Sequence, residues 1–110
     1  MPVNSKQKGK RAELEVAKIL KQHGYDDARR TAQYCGSTGD AADVVGLPGF
    51  HLEVKHQETV RLDEWWAQAK RDSDFTGNIP LVVHRKNGQK WKVTMDFETF
   101  LEVIKDYVQF

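Results

Sequence analysis

The segment from Ala42 to His56 limits the fold more than any other part of the chain. Two strand-like runs, Ala42 to Leu47 and Phe50 to His56, flank the turn Leu47-Pro48-Gly49, where proline fixes φ and glycine accepts a positive one. The pair reads as an antiparallel hairpin. Side chains alternate between the faces of a strand. Leu52 and Val54 therefore point into a core, and Glu53 and Lys55 stand side by side on the opposite face. Asp43 lies in the first strand within Ala-Asp-Val-Val-Gly, an apolar stretch where a lone acid has little structural reason to be. Two carboxylates from adjacent strands thus converge beside one ammonium.

The rest of the chain supplies helices and strands to frame this hairpin. From Gly9, Ala12, Val16, Ile19 and Leu20 recur at helical spacing until Gly24 stops the run. Asp26 and Asp27 make a turn, 28–34 reads as a short polar strand, and Cys35 to Asp40 as a loop. Leu62, Trp65, Trp66 and Ala69 line one face of a helix over Leu62 to Asp72. Ile79 to Arg85 is an apolar strand of the buried kind. Asn87-Gly88 predicts a type I′ hairpin back to a strand over Trp91 to Met95. Asp96 is placed to cap a last helix with Phe100, Leu101, Ile104, Tyr107 and Val108 on one side. The expected order is α-β-β-β-α-β-β-α: one α/β domain over 9–110, a central mixed sheet flanked by helices, behind a flexible basic tail at 1–8.

Composition narrows the function. With 110 residues, 39% of them apolar and 30% charged, the chain suits one ordinary domain with a modest core, to which a partner subunit could add stability. No apolar run is long enough to span a bilayer, and the polar, basic N-terminal segment lacks the apolar stretch of a secretory signal. Cys35 is the only cysteine, which excludes an internal disulfide and a thiolate zinc cluster and fits a cytoplasmic setting. Net charge is only +1. Its distribution is uneven: residues 1–30 hold eight Lys and Arg against four acids. A basic first third suits a surface that tracks phosphates, with Lys8, Lys10, Arg11, Arg29 and Arg30 as candidate DNA contacts. The other reading of those residues is a solvated helix face.

Two carboxylates and a lysine in one place suit phosphodiester hydrolysis. Hard carboxylate oxygens hold Mg²⁺ or Mn²⁺, such a metal can activate water, and a lysine can orient the nucleophile or neutralise developing charge. Glu13 stands at the head of the first helix's apolar stripe, in register with Val16, Ala17 and Leu20. An acid on that side needs a partner: a metal, a water bound to one, or a basic residue of the same fold.

The runs Lys8-Gly-Lys-Arg-Ala-Glu13, Gly24-Tyr25, Arg29-Arg30, Gly36-Ser-Thr-Gly39, Ala42-Asp-Val-Val45 and Leu52-Glu-Val-Lys55 resemble the archaeal-type Holliday junction resolvases of the PD-(D/E)xK nuclease superfamily, of which bacteriophages carry compact versions. The resemblance covers about Gly9 to Lys55 and continues more loosely through the Trp65-Trp66 helix and the strand Pro80 to Arg85. It implies a restriction-endonuclease-like core, with Asp43, Glu53 and Lys55 catalytic and Glu13 completing the metal site. It also places Ser37 in a loop near DNA. Ala42 stands where the family usually has proline, a residue that shapes the chain without performing chemistry. Gln68 and Lys70, on the helix after the Glu-x-Lys strand, could help position water or phosphate as in some superfamily branches, or form an exposed helix face. His51 and His56 read as ordinary strand-end residues, and Trp65, Trp66 and Trp91 as core or subunit contacts.

The expectation is therefore a homodimeric, Mg²⁺-dependent, structure-selective endonuclease acting on branched or double-stranded DNA, namely a Holliday junction resolvase. If phage-encoded, it would act in the host cytoplasm. The Trp65 helix is the favoured dimer surface and the C-terminal helix the other. The alternatives are the same chemistry on flaps, single strands or restriction-type sites, and a DNA-binding module of the same fold that does not cut.

Overall fold

Neighbouring parallel strands cannot be joined by a tight turn and need a crossover segment, commonly a helix. That requirement organises the centre of this molecule. The computed structural model describes residues 5–31 and 42–108. Its elements are α1 (Ser5–Gln22), β1 (Arg29–Arg30), β2 (Val44–Val45), β3 (Phe50–His56), α2 (Leu62–Ser73), β4 (Ile79–Arg85), β5 (Lys92–Thr94) and α3 (Phe97–Val103), in the expected order. The strands form one sheet in sequence order, β1-β2-β3-β4-β5. Strands β3 and β4 are parallel from Phe50↔Ile79 to His56↔Arg85, with α2 as the crossover, and the other neighbours are antiparallel. The sheet is thus mixed, with its long parallel pair in the middle.

Both faces of that pair are covered, which is why Leu81-Val-Val83 reads as a continuous apolar run. On one face Leu52, Val54, Leu81 and Val83 pack with Val44 against Ala12, Val16 and Ala17 of α1. On the other face Val82 packs against Trp65 and Ala69 of α2, with Leu62 and Trp66 at the margin. Trp65 is only 5% exposed. Of the two readings given for Trp65, core and subunit contact, the structure shows the first: the indole covers the chain's own sheet.

Other expectations also change. Helix α1 begins at Ser5, so Lys8 and Gly9 lie inside it. Asp43 immediately precedes a β2 of two residues, but it is still held to the next strand by its own N–H, which donates to the Leu52 carbonyl at 2.9 Å. The Asn87-Gly88 turn is not type I′. Among the described residues only glycines have positive φ, so Asn87 cannot take the first left-handed position that type demands. Outside contacts fix Asn87: its side-chain oxygen pairs with His56 Nε2 at 2.8 Å, and its N–H donates to Glu58 at 2.6 Å. Asp96 stands at the start of α3 but makes no side-chain cap. No residue of α3 is buried, and Phe97, Phe100 and Leu101 remain exposed. No described helix is long and apolar enough to cross a membrane.

Gly46 seats the β2–β3 hairpin against the turn that follows α1. Its φ is +109°, and a Cβ there would come within 2.6 Å of the Ala28 nitrogen and 2.8 Å of the Asp27 carbonyl carbon. Backbone cannot swing aside as a side-chain tip can. Gly46→Ala should cost about 1 kcal/mol or more in left-handed strain and a further ~1–3 kcal/mol in overpacking. Gly49, at φ +84° with open space around its missing Cβ, bears only the strain. Urea unfolding should therefore rank wild type above Gly49→Ala above Gly46→Ala. Equal midpoints for the two variants would contradict the close approach.

Candidate active site

Three elements bring the polar residues together. Strand β3 supplies Glu53 and Lys55, the segment entering β2 supplies Asp43, and α1 supplies Glu13. Alternation along β3 turns Leu52 and Val54 toward α1 and Glu53 toward the α2 side, beside Val82. Asp43 is 8% exposed and Glu53 1%. An Asp43 carboxylate oxygen accepts the Val54 N–H at 2.8 Å, so the side chain caps the backbone of the strand that carries Glu53. The segment leading into Asp43 is tied down by Thr31, whose hydroxyl donates to the Ala42 carbonyl and whose N–H donates to that of Asp43.

Burial sets the electrostatics. Asp43 is pushed up to about 8, first by desolvation and then by the nearby charge of Glu53, against a smaller lowering by the Val54 N–H. Glu13 is also raised, chiefly by burial, with Arg30 acting in the opposite direction. The basic partner expected as one possibility for Glu13 is Arg30, whose Nε donates to it at 3.1 Å. Lys55 donates from Nζ to Gln68 Oε1 at 3.2 Å. Glu13, Asp43, Lys55, Gln68 and Lys8 all line one cleft of about 660 Å³, with Glu53 buried beneath it.

Not every candidate residue joins this group. Lys10, Arg11 and Arg29 are exposed on the surface, and Lys70 is exposed without lining the cleft. Ser37 lies outside the described residues. Two residues were missed. His51 is no ordinary strand-end residue: it is 2% exposed inside β3, with Nε2 2.8 Å from Glu53 Oε1. Asp72 of α2 approaches the same pair. The signal for His51 was its period-two relation to Glu53, which puts both on one face.

The donor set fits a hard divalent cation. Asp43 and Glu53 offer adjoining carboxyl oxygens, the hard donors that such a cation takes. A mixed sheet with Asp at the entry of one strand and Glu-x-Lys on the next, opening into one cleft, is the arrangement of the PD-(D/E)xK nucleases. The chain belongs to the family of phage putative PDDEXK endonucleases, whose model matches residues 4–109. Its structure is similar to that of Archaeoglobus fulgidus Hjc, a Holliday junction resolvase from an archaeal hyperthermophile. The TM-score is 0.60 with 21% identity, over 80% of this chain and 72% of that one, which is a likeness of fold. No curated protein sequence matches the chain significantly.

The raised Asp43 has a consequence for stability. An acid whose folded-state value exceeds its unfolded one stabilises the fold while protonated, and that contribution is lost as pH rises from about 4 through about 8. Metal-free protein should lose stability across this window, and Asp43→Asn should flatten the loss and melt higher at pH 8. A gain of about 1 kcal/mol would raise Tm by roughly 4–8 °C. Thermal scans in EDTA from pH 5 to pH 8 measure this. Parallel curves for the two proteins would show that Asp43 is ionised throughout.

Proposed function

We propose that this chain is a metal-dependent, structure-selective DNA endonuclease whose substrate is a Holliday junction. The observation that carries the proposal is the buried Asp43–Glu53 carboxyl pair beside Lys55 at a cleft edged by a basic helix. Asp43 and Glu53 would hold Mg²⁺ or Mn²⁺, with Glu13 contributing from α1. The bound cation would supply an activated water and neutralise charge on the phosphate under attack.

The protein's own residues do the rest. Lys55, steadied by Gln68, places an ammonium where charge develops on the scissile phosphate. Arg30 holds Glu13 in place and opposes the protonation that burial favours there. Lys8 at the cleft, and Lys10, Arg11 and Arg29 on the surface, meet backbone phosphates. Such contacts carry no base information, so the shape of the DNA decides. The fold likeness to the Archaeoglobus resolvase supports a four-way junction over a linear site.

A cleavage panel of junction, flap, single-stranded and linear DNA tests this. Junctions should be cut in Mg²⁺ or Mn²⁺ and spared in EDTA. Asp43→Asn or Glu53→Gln should lower cleavage by at least ~10²-fold with junction binding retained, and Lys55→Ala by a similar factor. Preferential cutting of flaps or linear duplex would reassign the substrate. Full activity of Asp43→Asn would remove the site.

A junction has two equivalent strands related by a two-fold axis, and one subunit can cut only one at a time. A symmetric pair of chains would present two sites to them. The exposed Phe97, Phe100 and Leu101 of α3 leave apolar surface for such pairing. Light scattering at micromolar concentration should give twice the chain mass of 12.6 kDa. A monomer both free and on the junction would favour a single-nick enzyme.

A further inference from the structure

His51 and Glu53 share a face of β3, and both side chains are 2% exposed. One ligand-type atom from each of His51, Glu53 and Asp72 falls within 4.8 Å of the other two. Such a group can hold a cation, or it can be a hydrogen-bonded support. Distance separates the two. Donors on one ion, each about 2.0–2.2 Å from it, stand roughly 3 Å or more from one another. The 2.8 Å between His51 Nε2 and Glu53 Oε1 is instead the length of a charge-assisted hydrogen bond.

We propose that His51 is a positioning residue for Glu53. Its imidazole N–H holds Oε1 and leaves the rest of the carboxyl group to meet Asp43, which lies close enough to feel its charge. A carboxylate buried at the foot of a cleft needs donors to stay in place, and metal-binding carboxylates commonly have such a partner behind them. Asp72, in the last turn of α2, lies close to both groups, within 4.8 Å of each. The inference rests on the metal-site reading given above.

Calorimetric titration of the whole protein with Mn²⁺, without DNA, measures the site apart from cleavage. His51→Leu should weaken Mn²⁺ binding by about 10–100-fold. His51→Gln, whose amide can donate to the same oxygen, should recover most of that loss. Unchanged affinity in a His51→Leu protein with a wild-type circular dichroism spectrum overturns the proposal, and so does an equal loss in both variants. Wild-type protein that binds no Mn²⁺, or binding that survives Asp43→Asn, defeats the metal-site reading itself. A measurement on wild type covers the case in which His51→Leu does not fold. In ¹⁵N–¹H spectra assigned through the backbone, the His51 Nε2 proton should persist when Mg²⁺ saturates the site. Loss of that proton on Mg²⁺ binding would make His51 a ligand and overturn the positioning role.

Discussion

The burial of Glu53 is the constraint to which the rest of the structure answers. An isolated carboxylate in an apolar interior is too costly to persist unless it is neutralised, paired or hydrogen-bonded. Here it lies on the long parallel strand, 1% exposed, with α2 over its face. His51 meets it from the same strand and Asp43 from the neighbouring segment. Asp43 in turn must be held, and the Val54 N–H and the Thr31 contacts hold it. The short β1–β2–β3 part of the sheet is therefore the frame that keeps two acids against each other. The raised Asp43 shows how far that frame works against desolvation and, after it, the charge of Glu53.

What the sequence revealed followed from local periodicity. Glu53 and Lys55 on one face, Leu52 and Val54 on the other, and the stripe Ala12–Val16 all follow from repeats of 2 and 3.6 residues, and these repeats survive folding. What it concealed depended on distant partners. Nothing local distinguishes Arg30 from Arg29, yet one is 29% exposed and bound to Glu13 and the other is at the surface. The Asn87-Gly88 pair carries a type I′ signal that the contacts from His56 and Glu58 override. The stripe on α3 is correctly amphipathic, but amphipathicity does not say whether the covering surface belongs to the same chain.

Glu13 illustrates how an acid can be kept available at a half-buried position. Its side chain is 17% exposed, and burial favours the protonated form. One guanidinium hydrogen bond opposes that without closing the cleft, because Arg30 approaches from β1 and leaves Glu13 lining the open side. The arginine therefore acts on the site through Glu13, whereas Lys8, five residues earlier on α1, lines the cleft itself.

The spacing of Gln68 and Asp72 on α2 has a geometric reason. A crossover between parallel strands makes the helix run back against them, so α2 passes over β3 in the opposite direction. Four residues of helix advance about 6 Å, and two residues of strand advance about 6.6 Å. A step from Gln68 to Asp72 on the helix thus matches a step from Lys55 to Glu53 on the strand. Gln68 does bond Lys55, and Asp72 does reach the Glu53–His51 pair. Trp65 and Ala69 of the same helix press on Val82 beside Glu53, which fixes the helix along its axis. A slip of the helix that broke the Gln68–Lys55 bond would also carry Asp72 away from the Glu53–His51 pair, so the packing that covers the sheet also sets where both helix residues stand along the strand.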